Sequence, residues 1–337
     1  MRLLVTGGAG YIGSHAALAL LEAGHTVVVV DSLERGCRAS IATLGSLGGS
    51  RFHFEEMDVR ETAKLTSVLR DHAIDAVLHF AALAYVGESV TEPLRYYDCN
   101  VGGGISLLRA MANAKVSRII FSSSCATYGA PTAAQLPLRE DAPQVPVNPY
   151  GDTKLVMERL LRSACASGTP LAAAALRYFN VAGADAQCRI GEQHQPETHL
   201  IPITLEVALG RRSALTIFGD DYPTQDGTCI RDYVHVSDLV DAHLAALAAL
   251  EIGQCKAWNV GLGCGHSVRD VVESCRRVTA RRIDVQFVPR RAGDPAALYA
   301  DPSAIKRDLG WHAKFSSLDA ITASAWKWMN RGSVPTA

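Results

Sequence analysis

Short apolar runs alternate with helix-length stretches along the first half of the chain, and residues 3–6, 27–30, 52–54, 76–82 and 119–122 read as strands. Between them, helical stretches follow the first glycine cluster as far as Gly24 and cover 61–72 and 93–113. Asn148 is a good N-cap and Pro149 suits the first helical position, which predicts a further helix from Tyr150 to about Ser167. Strands alternating with helices indicate an α/β fold with a doubly wound parallel sheet, whose ligands gather at the carboxyl ends of the strands. From about residue 181 the alternation loosens. Residues 182–196 are long, polar and glycine-bearing, as expected of a loop in a second, smaller α/β lobe. Amphipathic helices at 237–250 and 267–280, a strand at 258–260 and a helix at 318–330 complete the pattern. This divides the chain into a first lobe over 1–180, to which a segment near 233–262 returns, and a second over 181–337.

Composition narrows the partners. A net charge of −1 across 337 residues gives no global pull towards nucleic acid or anionic membrane, so neither is expected as a partner, and any anion site has to be local. No apolar run approaches a membrane span, and the first strand reaches glycine too soon for a signal peptide, so the expectation is a cytoplasmic protein. Nine cysteines, odd in number and without a C-x-x-C pair, argue against a disulfide framework and a zinc site. Cys188, His194 and His199 fit no zinc spacing either, and no metal is expected.

The chemistry starts at Gly7-Gly8-Ala9-Gly10-Tyr11-Ile12-Gly13, which lies between a strand and a helix. The glycines let the backbone turn tightly and approach a pyrophosphate at the positive end of that helix, so the sheet is expected to be Rossmann-type. Asp31 ends the next strand, where a carboxylate accepts from a ribose 2′-hydroxyl and repels a 2′-phosphate; this points to NAD rather than NADP, although Arg35 nearby weakens the inference. Other strand ends carry Asp58, Phe80-Ala81-Ala82 and Ser122-Ser123-Ser124. Tyr150 and Lys154, four residues apart on one helix face, put a phenol beside an ammonium. A free phenol with a pKa near ~10 is too weak a base at neutral pH, and one cation ~5 Å away is worth roughly 3 kcal/mol, about two pKa units. A second nearby cation would bring it close to neutrality.

Together these features resemble the extended short-chain dehydrogenase/reductases, and within them the UDP-glucose (UDP-galactose) 4-epimerases. The finer likeness rests on stretches such as Val86-Gly87-Glu88-Ser89-Val90, Tyr150-Gly151-Asp152-Thr153-Lys154, Thr198-His199-Leu200-Ile201-Pro202, Asp226-Gly227-Thr228-Cys229-Ile230-Arg231 and Arg290-Arg291-Ala292-Gly293-Asp294. The resemblance implies NAD-dependent 4-epimerisation of a UDP-hexose through a transient 4-keto sugar. Tyr150 would be the base, Lys154 would hold the nicotinamide ribose and lower the phenol's pKa, and Ser124 would bind the sugar 4-hydroxyl. Cofactor contacts would come from Gly7, Gly10, Tyr11, Ile12, Gly13, Asp31, Ser32, Leu33, Asp58 and Val59. Phe80, Ala81, Ala82, Cys99, Ser122 and Tyr178 would complete them. Asn180, His199, Leu200, Phe218, Arg231, Arg291 and Asp294 would hold the UDP part, and two arginines suit a diphosphate on their own chemistry.

Leu298 falls where the family carries a gate beside the sugar's C2 substituent; Leu there admits an acetamido group, unless Tyr299 turns inwards and fills the space. UDP-N-acetylhexosamine, a UDP-pentose and a UDP-uronic acid are therefore alternative substrates, and a non-catalytic NAD-responsive binding protein is a remote one. Relatives dimerise through the 93–113 and 150–167 helices, so a homodimer is expected. The chain departs from the pattern at Ala84 and Cys99, and at Gly102-Gly103-Gly104, which would loosen the start of the helix that follows. Cys125-Ala126 replaces the Asp-Glu pair of the related 4,6-dehydratases.

Overall fold

In the computed structural model, residues 1–291 and 293–331 are described; the expected second lobe therefore includes residue 292 and residues 332–337, which lie outside them. Seven parallel strands form the main sheet, in the spatial order Cys255–Val260, Ala172–Tyr178, Arg118–Ser122, Ala76–His79, Arg2–Thr6, Thr26–Asp31 and Phe52–Glu56. Alternate residues of each strand feed the two faces. Leu3, Val5, Val27 and Val29 enter one buried cluster, and Leu4, Val28 and Val30 the other, which is why these strands are continuously apolar over 3–5 and 27–30. Strand order reverses between Arg2–Thr6 and Ala76–His79, opening the crevice where such sheets bind ligands.

Beyond Tyr178 the chain builds a second group of elements. Ile230–His235 pairs with Asn180–Ala182, Gly265–Ser267 and Ala297–Leu298, and Leu215–Phe218 pairs with Val285–Val288. Helices Leu200–Ala208, Val268–Thr279 and Leu318–Met329 bury Leu205, Val271, Cys275 and Ile321 in their own cluster. The Val236–Ala248 helix and the Cys255–Val260 strand return to the main sheet, where Ala246 and Trp258 join its core.

Three expectations need correction. The strand expected over 76–82 ends at His79, whose buried ring bonds Thr6 Oγ1 at 2.7 Å, and Phe80-Ala81-Ala82 turn away as cavity wall. The 93–113 helix is Pro93–Tyr96, a wide π turn over Tyr97–Gly102, then Gly103–Ala114. Its glycines do not loosen it: the chain is already helical there, and a Cβ on Gly104 would lie 2.2 Å from Met157 Sδ. The glycines therefore serve close packing against the Pro149–Ala166 helix and its neighbours. Several elements, including the Arg38–Gly48, Val86–Thr91 and Leu200–Ala208 helices and the Leu215–Phe218 strand, carry no strong periodic signal and were not expected.

Candidate active site

One cavity of about 940 Å³ runs from the glycine turn, across the ends of the central strands, to Arg231 and Asp294 in the second lobe. That size is near the upper end for small-molecule sites and suits two ligands side by side.

At one end, Gly7 has φ +71° and a Cβ there would meet Ala81 N at 2.5 Å; a Cβ on Gly13 would meet Gly7 O at 2.2 Å. Only glycine allows this approach of backbone to backbone. Gly10 begins the Tyr11–Glu22 helix with no side-chain cap, leaving its first N–H groups facing the cavity, as a pyrophosphate requires. Asp31 accepts from Ala9 N at 3.0 Å and Leu33 N at 2.8 Å, so its carboxylate is fixed at the strand end; burial raises its pKa and those two bonds oppose the rise. Arg35 does not offer itself to a 2′-phosphate. It pairs with Glu88 and lies over the Tyr85 ring at 4.9 Å. The residues present fit NAD.

Every residue expected at the site lines this cavity except Leu33. Leu33 sits in the left-handed region at φ 59° and contributes its backbone N–H to Asp31 instead, a role its side chain could not reveal. Ala84 and Cys99 both face the cavity, and beside Cys99 the buried Asn100 clasps Leu83 N and O at 2.8 and 3.0 Å and Thr153 Oγ1 at 3.0 Å. Sequence reasoning passed over Asn100, and over Glu158, which receives Ser123 Oγ at 2.6 Å and two bonds from buried Arg177 at 2.7 and 2.9 Å. This pair locks the serine strand end to the Pro149–Ala166 helix.

That helix starts as expected, with the Asn148 side chain accepting from Gly151 N at 2.8 Å. It carries Tyr150 and Lys154 into the middle of the cavity, with Lys154 Nζ 5.7 Å from the centre of the Tyr150 ring. Lys154 is 3% exposed and donates to Ser122 O at 2.8 Å; burial pulls its pKa down from 10.5 to about 8. Burial also drives the Tyr150 phenol well above its usual value, with the Tyr178 hydroxyl adding to the rise and the Ser124 hydroxyl opposing it. Thus, without ligands, Tyr150 is a neutral phenol. The net direction in the ligand-free chain is upwards, opposite to the lowering expected from Lys154, because burial penalises the phenolate.

In the second lobe Arg231 pairs with Asp294 and donates to Ile230 O at 2.7 Å, while the Arg291 guanidinium stacks 3.8 Å from the Phe218 ring centre. Asn180 and Leu200 begin the elements that follow the sheet and line the same wall. Leu298 is 7% exposed and faces the cavity beside Phe179, whereas Tyr299 turns towards Gly265, where a Cβ would lie 3.2 Å from its ring. Adjacent strand residues point to opposite faces, so the alternative of an inward Tyr299 does not arise. His199 lies with His194, Glu192 and Glu197 at the end of the loop between Asn180–Ala182 and Leu200–Ala208. Among the described residues no helix is long and apolar enough to cross a membrane.

The UDP-glucose 4-epimerase of Halalkalibacterium halodurans is 47% identical over 329 residues, covering 97% of this chain and 95% of that protein. A crystal structure of UDP-glucose-4-epimerase from Stenotrophomonas maltophila, with bound NAD and formylated UDP-arabinopyranose, superposes with a TM-score of 0.93 at 43% identity and covers 98% of both chains. The UDP-Glc/GlcNAc 4-epimerase from the human pathogen Campylobacter jejuni does so with a TM-score of 0.83 at 40% identity, covering 97% of this chain and 98% of that one. With residues 3–261 matching its family description and these likenesses along nearly its whole length, the chain belongs to the NAD dependent epimerase/dehydratase family.

Proposed function

We infer that this chain is an NAD-dependent UDP-glucose 4-epimerase, interconverting UDP-glucose and UDP-galactose, and that it works in the cytoplasm as a homodimer. The observation that carries the reading is the junction of Ser124, Tyr150 and Lys154 in one cavity, between a glycine turn built for a dinucleotide and a pair of arginines suited to a diphosphate. A protein that only senses NAD has no use for a buried phenol and ammonium at that point, since each is costly to bury.

NAD, when bound, supplies a hydride acceptor that gives back what it takes, so the reaction involves no net oxidation. The chain's residues handle the proton and the position of the sugar. Ser124 bonds the 4-hydroxyl, and Tyr150 takes its proton as C4 becomes a ketone. The phenol would do this only with cations near it: Lys154 from the chain, and the positive charge that oxidised NAD would supply when bound. Arg231, steadied by Asp294, and Arg291, stacked on Phe218, grip the diphosphate with Asn180, His199 and Leu200. Anchored there, the hexose is free to turn and present the other face of C4. Tyr150 then returns the proton.

In this reading, residues 1–180 with the 233–262 segment hold NAD, and the remainder from 181 holds UDP. Leu298 supports a wider range, because a leucine leaves room at C2 for an acetamido group that a tyrosine ring would exclude. The exposed apolar side chains Leu94 (83%), Val90 (61%) and Tyr97 (37%) lie on or beside the Pro93–Tyr96 helix and support pairing of two copies there. Nine cysteines without a disulfide suit a reducing compartment. The test is to incubate pure protein with UDP-glucose, UDP-galactose and other UDP-sugars, separate the products and follow NADH absorbance. Interconversion with little added NAD and no NADH accumulation is expected; NADH forming in step with product means a simple dehydrogenase.

A further inference from the structure

The loop between Asn180–Ala182 and Leu200–Ala208 carries Glu192-x-His194-x-x-Glu197-x-His199, and the fold closes these eight residues on themselves. One donor atom from each side chain lies within 4.8 Å of all the others. His194 Nδ1 is 3.1 Å from Glu192 Oε1 and 3.7 Å from Glu197 Oε2, while His199 Nδ1 is 3.0 Å from Glu192 Oε1 and 2.8 Å from Glu197 Oε1. Bonds of about 2.0–2.1 Å to a tetrahedral ion place its ligand atoms roughly 3.3 Å apart, so these separations are those of a coordination shell.

Hydrogen bonding accounts for only half of the arrangement: Glu197 Oε1 accepts from Thr198 N at 2.7 Å and His199 N at 2.8 Å and bonds His199 Nδ1 at 2.8 Å. Glu192 is 7% exposed and His194 18%, yet Glu192 Oε1 and His194 Nδ1, though close and facing, are both without a hydrogen-bond partner. Buried polar atoms are rarely left so. Two carboxylates call for two positive charges: two protonated imidazoles would supply them, and so would one divalent cation, which would leave both imidazoles neutral, the form that ligates. We propose that Glu192, His194, Glu197 and His199 form a binding site for a divalent zinc-class cation, contrary to the expectation of no metal from linear spacing. Two nitrogens and two carboxylate oxygens suit zinc over magnesium or calcium, which favour all-oxygen shells.

Four protein ligands leave no open position, so the ion would be structural; His199 would ligate through Nδ1 and keep Nε2 for the UDP part. The His194 ring meets Tyr11 and Tyr85 edge-on, each at 6.2 Å, and Tyr11 donates to Gly183 O at 2.6 Å. Tyr11 begins the helix at the glycine turn. The cation therefore fastens the second lobe's loop across the mouth of the dinucleotide site.

The test uses the full chain with its bound nucleotide, loaded with zinc, desalted and measured for metal by mass spectrometry; cobalt replacement then reads geometry from its visible spectrum. Close to one zinc per chain, a tetrahedral cobalt spectrum, and a melting temperature lowered by chelator and restored by zinc are expected. His194→Ala and the isosteric Glu197→Gln should each lose the metal and the chelator response; Glu197→Gln keeps the side-chain volume, so it reports even where His194→Ala fails to fold. Wild type that retains no zinc overturns the proposal. So does zinc retained equally by a folded variant, which would place the ion on cysteines or histidines elsewhere.

Discussion

Replacing Lys154 by methionine should stabilise the nucleotide-free protein while removing its activity. Burial lowers the folded-state pKa of this lysine from 10.5 to about 8, and at 1.36 kcal/mol per unit that is about 3 kcal/mol spent on holding the charge at neutral pH. Methionine fills a similar path with no charge to desolvate, but it leaves Ser122 O without the donor it has at 2.8 Å, a loss of about 1 kcal/mol. The net gain is about 2 kcal/mol, or roughly 3 °C in melting temperature for a chain of this length. The sign with pH is fixed by linkage. A depressed lysine pKa gives its full stability above the unfolded value of 10.5, and that contribution is lost as pH falls through about 8. The variant's advantage over wild type is therefore largest at pH 7 and shrinks by about 2 kcal/mol by pH 9.5. Calorimetry or urea titration of both proteins at the two pH values measures it, and the other titrating groups cancel in the difference. A variant less stable than wild type at pH 7, or an advantage unchanged at pH 9.5, refutes the reasoning.

Tyr150→Phe should lose at least about a hundredfold in turnover while still binding NAD and UDP-sugar, checked by steady-state kinetics and equilibrium titration; near-normal turnover would remove Tyr150 as the base. Wild type should turn over both UDP-galactose and UDP-N-acetylgalactosamine, and Leu298→Tyr should shift kcat/KM against the acetylated sugar by ~1 to 3 kcal/mol, about 5- to 150-fold. If wild type already rejects that sugar and the variant changes nothing, Leu298 is not the gate. Leu94→Glu should convert a dimer to monomer in light scattering without changing the circular dichroism; a wild-type protein that is already monomeric would end that reading.

Which residues share one cavity was legible in the sequence; the electrostatic state of the groups there was not. Four consecutive valines, a glycine turn and an Asn-Pro cap are local statements, and each maps onto a local structure: Thr26–Asp31, the start of Tyr11–Glu22, and Pro149–Ala166. Gly104 is not a local statement, because what makes it a glycine is Met157, fifty-three residues on. The Glu192, His194, Glu197 and His199 cluster is local, within eight residues, but a search for zinc spacing weighs histidines and cysteines and passes over its acids.

The phenol is the sharpest case. Sequence places Lys154 one turn from Tyr150, and counting charges alone brings the phenol about two pKa units down, with a second cation still needed. The fold surrounds both with apolar wall and points the ammonium at Ser122 O, so burial outweighs attraction and the phenol keeps its proton. For an epimerase this is useful. With Tyr150 as the proposed base, a phenol that ionised only with a cationic ring beside it would take no proton before the hydride had somewhere to go, and the burial that costs the free protein stability would then couple the two halves of the oxidation.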